Sequence, residues 1–180
     1  GGLDSILISK FVGLDMVTVL NLAQKIPLQI QALIGLFFTS SRSSIAYLLS
    51  GKKSIHNDKL IVNLVNTIII ITIFLFFLLF DVLNPFLKIW ISQNIFLNEF
   101  LIILIILIMI LRIYISSIQS LLFSRGNIKF VNNIQIAHSI ILVPLIITFS
   151  FMYNLEGLLM TYFIINLIFI APICTNKIFQ

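Results

Sequence analysis

Five stretches of this chain are each long enough and poor enough in charge to cross a lipid bilayer as a helix. A helix needs roughly 20 residues to span about 30 Å of hydrocarbon. The windows that reach this length are Met16–Thr39, Leu60–Phe80, Phe100–Phe123, Phe130–Phe151 and Leu155–Cys174. The second contains Ile68–Phe80, interrupted only by Thr72, and the third opens with twelve apolar residues in succession, Phe100–Leu111. None alternates polar and apolar residues, so a lipid-facing β-barrel is disfavoured. Helices are the other structure that satisfies every backbone group in hydrocarbon. Composition closes the soluble alternative: 60% of the residues are apolar and 9% charged, against about 25% charged in a soluble domain. The expected fold is all-α, a single polytopic membrane helix bundle with five full transmembrane helices plus the end of a sixth. That end is Leu3–Val12, too short to cross. The opening Gly1-Gly2-Leu3-Asp4 has no basic n-region and is read as part of a longer chain, not as a signal peptide.

The charges between the windows set an orientation. Arg42, Lys52, Lys53, Lys59, Arg125, Lys129 and Lys177 fall on one side by alternation, and Lys10 and Lys88 on the other. Seven cations against two make the first side cytoplasmic by the positive-inside rule. The C-terminus is then inside. Trp90 and Tyr153 fall at outer interfaces, and Asn84-Pro85 marks a break in an outer connection, Asp81–Glu99. The net charge of +5 is spread among apolar runs and gathers on no single face, which argues against nucleic acid as a partner. The lone Cys174 excludes an internal disulfide or a multi-cysteine metal site. No paired-carboxylate, HExxH, P-loop or GxSxG constellation is present, so an enzyme is not expected.

The informative residues are the polar ones inside the windows. Lys25 sits near the middle of the first, where an insertion scale charges roughly 2.5–3.5 kcal/mol for a lysine. At about 100° per residue, Thr18, Asn21, Gln24, Lys25, Gly35 and Thr39 share one face, with Gln29 and Gln31 at its margins. The opposite face, Val19, Ala23, Ile26, Ile30, Leu33 and Phe37, is wholly apolar. A helix so divided is expected to line a polar cavity, and Pro27 within it is a candidate kink. Arg112, near the middle of the third window, begins a stripe with Ser116 and Gln119 that runs toward the cytoplasmic end. Cavity lining and snorkelling both account for it. His138 reads first as a hydrogen-bonded structural residue and second as a proton relay. Asn63 and Asn66 read as interhelical hydrogen-bonding groups or as cavity lining. Asp4 is a candidate partner of Lys25 or Lys10, or a cation ligand. Ser40-Ser41-Arg42-Ser43-Ser44 reads as a solvated helix end in preference to a phosphate site.

Several short motifs, taken in order, resemble one family. Leu3-Asp4-Ser5-Ile6-Leu7-Ile8-Ser9-Lys10-Phe11-Val12-Gly13 resembles the run that closes the seventh helix of bacterial polysaccharide flippases. These are the O-antigen and capsule repeat-unit transporters of the multidrug/oligosaccharidyl-lipid/polysaccharide exporter superfamily. Val19-Leu20-Asn21-Leu22-Ala23-Gln24-Lys25 is similar to the start of their eighth helix, with Leu20 in place of a tyrosine. Leu87-Lys88-Ile89-Trp90-Ile91-Ser92 is similar to the loop after the ninth, with Ser92 in place of a glycine. Leu122–Lys129 resembles the turn between the tenth and eleventh, and Tyr153-Asn154-Leu155-Glu156-Gly157 the turn before the twelfth.

The resemblance implies the C-terminal six-helix half of a twelve-helix transporter of the bacterial plasma membrane, whose partner is its own N-terminal half. The implied activity is flipping undecaprenyl-pyrophosphate-linked oligosaccharide between leaflets by alternating access. Lys25 and Arg112 would then attract pyrophosphate or acidic sugars, and Asn21, Gln24, Ser116 and Gln119 would hydrogen-bond sugar hydroxyls. No cofactor is implied; Asp4 would be the place for proton or sodium coupling. A multidrug exporter of the same superfamily and a non-transporting membrane scaffold subunit are the alternatives.

Overall fold

The computed structural model describes residues 14–49, 55–90 and 98–179. Asp4, Lys10 and the whole Leu3–Val12 segment lie outside the described residues, as do Lys52 and Lys53. Among the described residues every element is helical: α1 (Leu14–Ser40), α2 (Arg42–Leu49), α3 (Ile55–Trp90), α4 (Glu99–Ser124), α5 (Ile128–Ile165), a π-helical turn (Asn166–Ile170) and α6 (Ala171–Ile178). Three helical stretches are long and apolar enough to cross a membrane: Lys59–Leu83, Glu99–Ser124 and Ile128–Ile178.

The last of these is a hairpin. Lys177 Nζ lies 5.8 Å from the centre of the Phe130 ring. A straight helix would hold those residues about 70 Å apart at 1.5 Å per residue. The reversal occurs at Tyr153 and Asn154, whose backbones leave the helical region, Asn154 at φ 53°. Asparagine tolerates positive φ better than most residues. Just beyond the turn, Gly157 comes so close to the first arm that an added Cβ would collide with the Phe149 carbonyl oxygen. Only a residue without a side chain fits there.

α4 is the axis of the bundle; α1, α2, α3, α5 and α6 all pack against it. Its start is fixed by Asn98, whose Oδ1 accepts from the Phe100 N–H, with Glu99 favourably placed in the first turn. Its end is a Schellman motif. Gly126 at φ 80° donates to Phe123 O at 3.0 Å, and Asn127 donates to Leu122 O at 3.0 Å. That motif turns the chain into α5.

Two apolar clusters lie along α4. One joins Ala23, Leu79, Leu83, Leu101, Ile105, Ile106, Met109, Leu142, Leu155 and Leu158. The other joins Phe38, Ile61, Val65, Ile115, Ile118, Leu121, Leu122, Val131 and Cys174. Outside them, Leu33, Phe37, Ile70, Phe74, Phe77, Ile140 and Ile168 are exposed, an apolar surface compatible with a membrane protein.

One boundary differs from the sequence reading. Asn84-Pro85 does not break the chain: α3 runs through Pro85 to Trp90. Proline removes one helical hydrogen bond and crowds the preceding turn. Here that turn is anchored by Leu79 and Leu83, which are fully enclosed in the core, and packing of this kind overrides local propensity.

Candidate functional site

The two apolar clusters part at Arg112. Between them a cavity of about 320 Å³ opens, lined on α4 by Arg112, Ser116 and Gln119, on α1 by Gln31, on α5 by Gln135, His138, Ser139 and Tyr162, and in the π-helical turn by Asn166. Among the described residues no carboxylate lines it. The Arg112 guanidinium carbon sits 5.0 Å from the centre of the Tyr162 ring, a cation–π contact that holds the charge without neutralising it. Gln135 Nε2 donates to Gln119 Oε1 at 3.1 Å, tying α5 to α4 across the cavity. Gln31 Oε1 and His138 Nε2 are enclosed and have no hydrogen-bond partner among the described residues. A buried polar atom left without a partner costs about 1–3 kcal/mol, so both favour whatever polar group enters.

The π-helical turn has a local cause and a local effect. Asn166 Nδ2 donates to Tyr162 O at 2.7 Å, while the backbone N–H of Ala171 reaches back to Asn166 O. The widened turn places Asn166 in the wall of the cavity. π-bulges of this kind recur at functional sites.

The sequence-derived candidates separate into two groups. Arg112, Ser116 and Gln119 line one cavity together. Asn21 and Lys25 are exposed on α1, and Gln24 is half-buried; none of the three lines that cavity. The reason is the phase of α1. It turns Ala23 and Phe38 into the bundle core, with Pro27 buried on the same side, so the Asn21–Lys25 stripe faces outward and only Gln31, at the stripe's margin, reaches the Arg112 cavity. Asn63 and Asn66 are exposed on α3.

Gln135, Ser139, Tyr162 and Asn166 were not singled out from the sequence. Their spacing carried a signal: Gln135, His138 and Ser139 follow a helical repeat, as do Tyr162 and Asn166.

A second, smaller cavity of about 230 Å³ adjoins the first and shares Ser116 and Gln119 with it. It lies toward the end of α4 where Arg42 Nη2 donates to Ser120 Oγ at 3.0 Å. At that same end the Arg125 guanidinium donates to the Ile178 carbonyl, and Lys177 lies over Phe130. The cations Arg42, Arg125 and Lys177 thus gather at one end of the bundle.

Neither a protein-family model, nor a curated protein, nor a solved structure matches this chain.

Proposed function

We propose that the chain is a multi-pass membrane bundle with five crossings that forms half of a transporter. Its cargo is an undecaprenyl-pyrophosphate-linked oligosaccharide, flipped across a bacterial plasma membrane by alternating access. The observation that carries the reading is the charge of the Arg112 cavity: among the described residues, one guanidinium, several amides and hydroxyls, one imidazole and no carboxylate line it. A cation at that depth is costly, and no carboxylate lining the cavity offsets it. An anionic cargo would offset it, with charge-assisted hydrogen bonds worth about 1.5–3 kcal/mol each. The neutral groups match sugar hydroxyls, which both donate and accept. A cavity for cationic drugs would need an acid where this one has Arg112. A scaffold would gain nothing from leaving Gln31 Oε1 and His138 Nε2 without partners.

The five crossings are α1, α3, α4 and the two arms of the α5–α6 hairpin. The cation-rich end that holds Arg42, Arg125 and Lys177 is assigned to the cytoplasm, so the C-terminus is cytoplasmic too. The outward stripe of α1, with Asn21, Gln24 and Lys25, is assigned to the face that meets the other half of the transporter. Cargo would then be held between the halves, against Lys25 on that face and Arg112 within this one. A leaflet-resolved assay of lipid-linked glycan in vesicles carrying the full-length protein tests this. Wild-type protein moves the glycan to the opposite leaflet, and Arg112→Gln abolishes or strongly slows the movement. Normal flipping by Arg112→Gln defeats the assignment.

A further inference from the structure

Arg42 is the residue whose sequence reading and surroundings differ most. Amid four serines it reads as a solvated helix end, yet its side chain is only half exposed. Its guanidinium is held from two directions. Nη2 donates to Ser120 Oγ at 3.0 Å, and the central carbon sits 5.0 Å from the Phe123 ring centre. Its Nε is enclosed and has no hydrogen-bond partner among the described residues.

The adjoining 230 Å³ cavity is lined by Thr39 of α1 and by Ser116, Ser117, Gln119 and Ser120 of α4. Again no carboxylate among the described residues lines it. Ser117 is 2% exposed, and its Oγ has no hydrogen-bond partner among the described residues. Thr39 is occupied with its own helix: its one hydroxyl proton is shared between Gly35 O at 2.9 Å and Leu36 O at 3.0 Å, which leaves it no proton to give. Arg42 Nε and the Ser117 hydroxyl are thus enclosed donors at this site with no hydrogen-bond partner among the described residues, and the Ser120 hydroxyl, which accepts from Arg42, stands beside them.

A cation kept only to orient the chain gains most from full hydration. This one is instead fixed in direction by a hydroxyl and an aromatic face, with an enclosed N–H and an enclosed hydroxyl beside it. A fixed guanidinium with neighbouring hydroxyl donors suits a tetrahedral oxyanion, whose several oxygens accept from more than one donor.

We propose that the Arg42 cavity is a second anion site, taking a phosphoryl group from a phosphate ester or a pyrophosphate. It shares Ser116 and Gln119 with the Arg112 cavity. Arg112 and Ser120, the anchor of Arg42, stand about 12 Å apart along α4 at 1.5 Å per residue. The two guanidiniums thus flank one continuous polar wall. Arg42 receives the anion at the cation-rich end, and Arg112 holds it deeper. The order of the two stations rests on the transport reading above; the existence of the Arg42 site does not.

The test is equilibrium binding of inorganic pyrophosphate to full-length protein in phosphatidylcholine nanodiscs. Wild-type protein is expected to bind at two sites. Arg42→Gln removes one and Arg112→Gln removes the other. Undiminished stoichiometry in Arg42→Gln protein with a normal melting transition overturns the proposal. Should Arg42→Gln fail to fold, Ser117→Val reads the same site without removing a charge. It weakens the Arg42-side binding about tenfold, the loss of roughly 1.4 kcal/mol, and unchanged binding there overturns the proposal equally. Loss of the Arg42-dependent site in Arg42→Gln, together with wild-type stoichiometry in Arg112→Gln, supports the second site while removing the transport reading. Repeating the titration in nanodiscs containing phosphatidylglycerol separates the sources. Competition at the Arg42 site identifies a phospholipid headgroup as its occupant, and undisturbed binding identifies a pyrophosphate-bearing cargo.

Discussion

Lys25 on α1 and Arg112 on α4 are the two cations that sit mid-window in the sequence, and each belongs to a polar stripe. In the folded bundle they part company. Arg112 is half-buried beside Tyr162 in a cavity between two apolar clusters. Lys25 is exposed on the outer side of α1. The stripes are equally visible in sequence, but α4 is packed on by every other helix while α1 is packed mainly on one side. Any stripe on α4 ends up inside the bundle. A stripe on α1 ends up inside only if it coincides with the face that carries Ala23 and Phe38, and it does not.

The comparison breaks most cleanly at Arg112. Arg112→Gln removes the one charge among the described residues of its cavity and, under the proposed transport function, is expected to slow glycan flipping about 10- to 100-fold. That corresponds to the roughly 1.5–3 kcal/mol carried by a charge-assisted hydrogen bond in a desolvated site. Arg112→Lys keeps the charge but loses the planar fork, so its rate should fall between those of Arg112→Gln and wild type. The readout is the rate of glycan appearance in the opposite leaflet; equal rates for all three proteins would place Arg112 outside the cargo path.

Tyr162→Leu is next in size. It removes the aromatic face over Arg112 while keeping an apolar side chain, and cation–π contacts are worth about 0.5–2 kcal/mol. Flipping should slow several-fold, whereas Tyr162→Phe, which keeps the ring, should stay close to wild type. If Phe and Leu behave alike, the ring is not what holds the guanidinium. Gln119→Leu severs the bond to Gln135 and leaves that amide with one partner fewer. It should lower thermal stability by about 1–2 kcal/mol and narrow the shared wall of both cavities. A denaturation curve of Gln119→Leu overlying that of wild type would show that the α4–α5 bond contributes nothing to the bundle.

How much of this was legible depended on whether one helix or two had to be read. The turn at Ser124–Asn127 was visible because Gly126 is the residue a Schellman motif demands. The reversal at Tyr153–Asn154 stood where the apolar run pauses. The stripe of Arg112, Ser116 and Gln119 follows from helical spacing alone. The other wall of the cavity did not. Gln135, His138, Tyr162 and Asn166 belong to two arms of a hairpin, and only the hairpin brings them together. Between helices in lipid there is no hydrophobic difference to point one face inward, so periodicity marks a polar face without saying what it meets. Pro85 failed for a related reason: the turn rule is local, while the enclosed Leu79 and Leu83 that hold α3 straight are a property of packing.

The smallest effect is expected at Lys25, and it sharpens the comparison most. An exposed charge interacts through a higher effective dielectric than an enclosed one, so its neutralisation removes less. Lys25→Gln should therefore slow flipping only a few-fold, against the far larger loss at Arg112. Its effect should also depend on salt, because exposed charges are screened over about 8–10 Å at physiological ionic strength and enclosed ones much less. Raising the salt should bring wild-type flipping toward the Lys25→Gln rate while the deficit of Arg112→Gln persists. An outcome in which Lys25→Gln is as damaging as Arg112→Gln, and as indifferent to salt, would mean that the outer face of α1 becomes enclosed in the working transporter, putting both cations in one desolvated chamber. Such a result would give the two stripes the same role after all, with the second half of the transporter completing around α1 what the α5–α6 hairpin completes around α4.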